Sequence, residues 1–234
     1  MRRLLLVNPN TSVSVTNRLA KAAQDFFGDA VSVESVTAGF GAPYITGEHS
    51  LAIAAHATLE AREKAMAGGG RFDACLIGCF GDPALHALEE LQAEPIVGLA
   101  EASMRIAARR GPFAIVTGGH AWREPLRRLA FSIGLLDSLA AIETVEASGA
   151  QLAADPAAGV DLLAGACRAA LAHSARRGSA AASVIIGGAG LIEFAKPLAD
   201  RVSAQLLDSV HCGLQMASER MKLARHTGLL TSRP

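Results

Sequence analysis

The sequence predicts an α/β protein of two similar lobes, each a mostly parallel sheet flanked by helices, related by a pseudo-two-fold duplication with the active site between them. Three observations lead there. Short β-branched or Leu-rich runs alternate with Ala-rich helical stretches, the pattern of successive βαβ units. The apolar runs end in turns rich in Gly, Asn and Pro, where α/β sheets bind their ligands. The two halves also align at one offset: Leu76-Ile77-Gly78-Cys79-Phe80-Gly81 falls on Ile185-Ile186-Gly187-Gly188-Ala189-Gly190, a shift of 188 − 79 = 109 residues.

The elements follow in order. Arg2-Arg3-Leu4-Leu5-Leu6-Val7 reads as a first strand over 3–8, because Asn8-Pro9-Asn10 interrupts the apolar run before it reaches signal-peptide length. A helix is expected over 12–27, a strand over 31–37 and a helix over 49–68, the last stopped by Gly68-Gly69-Gly70 because glycine takes left-handed backbone angles freely. A strand over 72–78 and helices over 83–92 and 100–110 complete the first half. The second half repeats the alternation, with strands over 112–117, 140–146 and 183–187 and helices over 122–133, 157–177, 191–201 and 209–226. The offset also puts Leu6-Val7-Asn8-Pro9-Asn10 on Ile115-Val116-Thr117-Gly118-Gly119, and Val33-Glu34-Ser35-Val36 on Ile142-Glu143-Thr144-Val145. The lobes are therefore expected at 1–97 plus 207–234, and at 98–206.

Composition narrows the function classes. Hydrophobic residues make up 50% of the chain, and 22 basic side chains balance 22 acidic ones. Such a chain has no electrostatic signature for nucleic acid or an anionic membrane. No segment is apolar and uncharged over the ~18 residues that a span requires. The 4 cysteines show neither metal-ligand spacing nor a secreted disulfide framework, which favours the cytoplasm and no metal. A phosphate-binding loop and a dinucleotide fingerprint are both missing, and Gly187-Gly188-Ala189-Gly190 matches neither spacing. The expected partners are small molecules or further copies of the chain.

Cys79 is the leading candidate for chemistry. It follows the glycine that ends the run Phe72-Asp73-Ala74-Cys75-Leu76-Ile77, so it leaves the carboxyl end of a buried strand, where a thiol can act as nucleophile or proton carrier. The bland alternative is a small buried hydrophobe. Cys75, inside the run, and Cys167, in a helical stretch, read as core. The duplication groups four turns, 8–12, 79–83, 117–121 and 188–191, around one pocket. Asn10, Thr11, Ser12, Thr117, Gly118 and Gly119 would offer hydroxyls, amides and free N–H groups to carboxylate or enolate oxygens. Helix capping explains Thr11 and Ser12 equally well.

Taken together, Asn8-Pro9-Asn10-Thr11-Ser12, Gly39-Phe40-Gly41-Ala42-Pro43-Tyr44-Ile45, Gly78-Cys79-Phe80-Gly81-Asp82-Pro83 and Pro95-Ile96-Val97-Gly98-Leu99-Ala100-Glu101-Ala102 resemble the aspartate/glutamate/hydantoin racemase superfamily, in particular its hydantoin and allantoin racemase branch. The resemblance covers nearly the whole chain. It implies a cofactor-independent enzyme in which two cysteines, one from each lobe, face opposite sides of a carbon next to a carbonyl, while backbone N–H groups hold the oxyanion. Cys79 matches the first-lobe cysteine, and Gly188 stands where the second is expected. A replacement donor is then sought in His120, which the offset pairs with Thr11, or in His211 and Cys212, at the start of a helix that borders the pocket in the family. Cys212 also reads as structural, and His120 as a surface cap.

Phe40, Tyr44, Phe80, Gly81, Gly188 and Ala189 are expected to shape the substrate pocket for a carboxylate, hydantoin or ureide. A homo-oligomer is implied as well. The enzyme readings predict a Cys79 thiol made more acidic by a helix starting at Asp82-Pro83. Glu101 reads as a first-turn helix acid and Glu193 as a solvated one; His49, His56, His86 and His173 receive no role. A single-cysteine decarboxylase of malonate-like acids and a non-catalytic binding relative are the alternatives.

Overall fold

The computed structural model describes residues 1–226 apart from 70, 92 and 193, and divides them into two compact units. The first contains Met1–Ile45, His49–Leu99 and the chain from Gly213 onward; the second contains Thr46–Glu48 and Ala100–Cys212. Glu193 and Gly70, both read above from sequence, lie outside the described residues.

In the first unit β1 (Arg2–Asn8), β2 (Val31–Thr37), β3 (Ala74–Ile77) and β4 (Ile96–Gly98) form a 4-stranded parallel sheet in the order β2-β1-β3-β4. β1 is central, so its side chains from Leu4 to Asn8 are buried on both faces, as befits a strand under helices on either side. The connections are α1 (Val13–Phe27), α2 (Glu48–Ala67) and α3 (Leu85–Glu90). On α1 the buried residues Val15, Thr16, Leu19 and Ala23 recur at the three-to-four-residue spacing of one helix face.

The second unit repeats the plan with β5 (Phe113–Gly118), β6 (Leu139–Val145), β7 (Ser183–Gly187) and β8 (Gln205–Asp208) in the parallel order β6-β5-β7-β8. The 109-residue offset carries Ala74 onto Ser183 and Ile96 onto Gln205, the first residues of β7 and β8 (74 + 109 = 183; 96 + 109 = 205). Its helices are α4 (Leu99–Ala108), α5 (Arg123–Ser132), α6 (Gly149–Ala154), α7 (Pro156–Arg176), α8 (Ala195–Ala199) and α9 (Ser209–His226); α9 continues into the first unit. A core of Val116, Val145, Leu163, Cys167, Ile186, Phe194 and Leu198 fills the space between sheet and helices.

Four sequence expectations change. β4 and β8 were not anticipated, each running directly into a helix, at Leu99 and at Ser209. The helix expected over 157–177 is preceded by α6, whose capping box joins Ser148 and Gln151. The helix expected over 191–201 is reduced to α8. The lobe boundary expected at 206/207 falls inside β8, which pairs with β7 from Gln205 to Asp208, so the chain returns to the first unit only at 212/213.

Candidate functional site

The carboxyl end of the first sheet is knitted together by backbone hydrogen bonds between its turns. Ala38 N donates to Asn8 O at 2.9 Å, Thr11 N to Ala42 O at 3.2 Å and Gly78 N to Val7 O at 2.8 Å. These bonds bring the 8–12 turn, the loop after β2 and the Cys79 turn to one edge. Asn8, fully buried, organises its own turn: its Nδ2 donates to Asn10 Oδ1 (2.9 Å), Ser12 O (3.0 Å) and Thr16 Oγ1 (2.9 Å). The sequence reading took Asn8 as the start of the 8–12 turn; the structure makes it the last residue of β1, with its side chain reaching forward to hold that turn.

This network corrects the expectation of free N–H groups. Asn10 N donates to Asn8 Oδ1, Ser12 N to Asn10 Oδ1 and Thr11 N to Ala42 O, so the turn satisfies its own donors. Asn10 Nδ2 and the Thr11 hydroxyl take no part in this network. Ser12 Oγ lies 3.0 Å from Ser14 Oγ, and Ser12 precedes α1 with no side-chain capping bond. Phe40 makes an edge contact with His56 on α2, Phe80 is buried and Tyr44 is exposed.

Cys79, at the carboxyl end of the interior strand β3, is 8% exposed. Its acidity runs opposite to the sequence expectation. Burial first, and the negative charge of Asp82 second, push the thiol up to about 12, and the Gly81 N–H offsets this only in part. The helix meant to acidify it begins later, at Leu85, and is 6 residues long. Cys75, fully buried, is likewise pushed up to about 12 by burial.

At the carboxyl end of the second sheet Thr117 Oγ1 donates to Gly187 O at 2.7 Å, Gly119 N to Val145 O at 2.8 Å and Gly188 N to Ser209 Oγ at 3.1 Å. The hydroxyl expected of Thr117 and the N–H expected of Gly119 are thus committed, and the Gly188 N–H is as well. Gly188 has φ +140°, and Ala189 opens a short 3-10 turn, Ala189–Leu191. Gly118 lies so close to the backbone of Ala147 that a Cβ there would meet the Ala147 oxygen at 2.6 Å.

Three second-donor candidates separate by environment. His120 is exposed, with Nδ1 2.8 Å from Thr144 Oγ1. His211 is exposed in the first turn of α9, its backbone N–H donating to Asp208 Oδ1 at 2.8 Å. Cys212 is 2% exposed and its thiol is pushed up to about 12 by burial. Sequence reasoning passed over Asp208, the last residue of β8. Burial raises its carboxyl to about 6 against the backbone donors of His211 and Val210, and its Oδ2 is buried with no hydrogen-bond partner. The missed strand hid it.

The remaining ionisable residues divide along ordinary lines. Glu101 sits in the first turn of α4 and accepts from Arg105 at 2.7 Å; His86 contacts Glu89, and His173 contacts Glu143. A cavity of about 450 Å³ in the second unit lies against β6, between Arg123, Arg127, His173 and Arg177, and contains none of the predicted site residues. Among the described residues, no group of three or more His, Cys, Asp and Glu is placed to hold a metal ion, and no helix is long and apolar enough to cross a membrane.

Comparison with known proteins agrees with this architecture. The family model for Asp/Glu/hydantoin racemase matches residues 4–217. The hydantoin racemase of Paenarthrobacter aurescens is 29% identical over 231 residues, covering 98% of this chain and 95% of that protein. The hydantoin racemase of Pseudomonas sp. (strain NS671) is 27% identical over 229 residues, covering 97% and 89%. Among solved structures, allantoin racemase from Klebsiella pneumoniae superposes with a TM-score of 0.83 at 26% identity, covering 100% of this chain and 95% of that one. With the family model matching nearly the whole chain, this chain belongs to the Asp/Glu/hydantoin racemase family.

Proposed function

We propose that this racemase-family protein exchanges the proton on a carbon next to a carbonyl of a hydantoin or a ureide, without a cofactor, and that Cys79 is the acid–base group for one face of that carbon. The observation that carries the reading is the placement of Cys79: a residue at the carboxyl end of β3, nearly closed off from water, in a turn tied to β1 by the bond from Gly78 N to Val7 O. Removal of the proton leaves a planar enolate whose oxygen needs a donor, and Asn10 Nδ2 is the group we assign to it. Phe40, Tyr44, Phe80 and Gly81 are proposed to shape the pocket, and Gly118, Gly188 and Ala189 to leave room at the second sheet.

As the second acid–base group we propose an imidazole, from His120 or His211, in place of the thiol that the family pattern has where this chain has Gly188. Both are exposed, whereas Cys212 is closed off by packing. We further propose that the protein works in the cytoplasm as a homo-oligomer; its four free cysteines, all buried, accord with a reducing compartment. The reading is tested by following optical rotation of single-enantiomer allantoin and 5-substituted hydantoins. Decay to zero with wild type, and none with Cys79→Ser, is expected. Decay that persists in Cys79→Ser overturns the assignment.

A further inference from the structure

The turn after Cys79 contains a second ionisable group that the reaction does not obviously need. Asp82 is 4% exposed and adopts φ +46°; it and Ala84, at φ +65°, are the non-glycine residues with positive φ among those described. Two such residues within three positions mean a backbone held against its preference, and such strain persists only where the surroundings fix it. Asp82 N donates to Cys79 O at 3.2 Å, and Leu85 N to Asp82 O at 3.1 Å. The carboxylate itself occupies the space above Gly98, the last residue of β4: a Cβ built on Gly98 would lie 2.2 Å from both Cγ and Oδ2 of Asp82. The seat exists because residue 98 has no side chain.

We propose that Asp82 is a positioning residue for Cys79, a fixed carboxylate, seated on Gly98, that keeps the neighbouring sulfur protonated at rest and makes it a stronger base once the proton has left. The physical reason is like-charge repulsion in a nearly water-free pocket, where a thiolate beside a carboxylate is costly. The direction in which the thiol's acidity moves, with Asp82 as its second cause after burial, agrees with this geometry. The consequence rests on the reading of Cys79 as the acid–base group. In the donating direction the S–H bond breaks, a C–H bond forms with the electron pair of the enolate carbon, and a thiolate remains. In the reverse direction that thiolate, more basic than an ordinary one, takes a weakly acidic carbon-bound proton and becomes a thiol again. Resting enzyme would therefore accept first the enantiomer whose proton points away from Cys79.

The test reads the thiol directly and needs no substrate, so it stands or falls separately from the racemase reading. The pH dependence of Cys79 alkylation by iodoacetamide is followed by mass spectrometry of the Cys79 peptide in wild type, Asp82→Asn and Gly98→Ala, with circular dichroism to verify folding. Wild-type Cys79 is expected to react with a midpoint above that of free cysteine. Asp82→Asn should lower the midpoint, and reaction at pH 8 should become about three- to fourfold faster for every pH unit by which the midpoint falls, since the larger thiolate fraction is partly offset by a less nucleophilic thiolate. Gly98→Ala, which displaces the carboxylate from its seat, should move the midpoint the same way. A folded Asp82→Asn with the wild-type midpoint overturns the proposal, and so does a wild-type midpoint at or below that of free cysteine, a result obtainable even if neither variant folds.

Discussion

Replacing Asp208 by Asn should abolish a specific part of the pH dependence of stability. The wild-type carboxyl is raised from 3.8 to about 6 because burial disfavours its charged form. The folded state therefore binds this proton more tightly than the unfolded chain does, and stability should rise as pH falls through the window from about 6 to 3.8. Between pH 8 and pH 5 the folded group goes from almost fully ionised to about nine-tenths protonated, while the unfolded group stays ionised. With one pK unit worth about 1 to 2 kcal/mol, the gain is on the order of 1 kcal/mol, or a few degrees in Tm for a chain of this length. Asn keeps an oxygen for the His211 N–H, bonded at 2.8 Å in the wild type, and caps helices as well as Asp does, so the variant should fold. The assay is thermal unfolding of both proteins from pH 8 to pH 5, read as the wild-type-minus-variant difference, which cancels every other titrating group. A difference that stays constant across this range refutes the reasoning.

Further expectations follow from the same contacts. Arg62 and Glu94 form a bidentate ion pair at 2.7 Å with side chains 7% and 1% exposed, so Arg62→Ala should cost about 3 to 5 kcal/mol by leaving Glu94 buried and unpaired, measured by urea denaturation. Asp155→Ala should lose the capping bond to Ala158 N, 3.2 Å long, and about 1 kcal/mol with it, by the same measurement. Gly188→Cys finds room, since a Cβ would meet Leu191 at 3.5 Å, but φ +140° strains any side chain; we expect a folded protein less stable by about 1 to 3 kcal/mol, with a second alkylation site seen by mass spectrometry.

The residues that made the fold legible were those at strand ends. Asn8-Pro9-Asn10, Gly78-Cys79 and Gly187-Gly188 each follow an apolar run, and their common offset brought out the duplication before any pairing was known. β4 and β8 escaped because each runs directly into a helix, at Leu99 and at Ser209, with no turn in between to mark the strand's end as the Gly78 turn marks that of the similarly short β3. Asp208 was missed with β8. The position of Cys79 was readable, but its acidity was not, because burial and the charge of Asp82 depend on a seat at Gly98 that is 16 residues away in sequence (98 − 82 = 16). The donors of the turns were misjudged for a related reason. A turn rich in Asn, Thr and Ser looks like an open row of donors, yet Asn8 and Asn10 consume most of them in holding the turn together.

The central claim is that Cys79 exchanges a carbon-bound proton, and proton NMR in deuterated water tests it most directly. Single-enantiomer allantoin and 5-substituted hydantoins are incubated with wild type and with Cys79→Ser, and the loss of the signal from the carbon-bound proton is followed together with enantiomer composition. The account predicts deuterium uptake with inversion in wild type and neither in Cys79→Ser. Uptake that continues at the wild-type rate in a folded Cys79→Ser would contradict it.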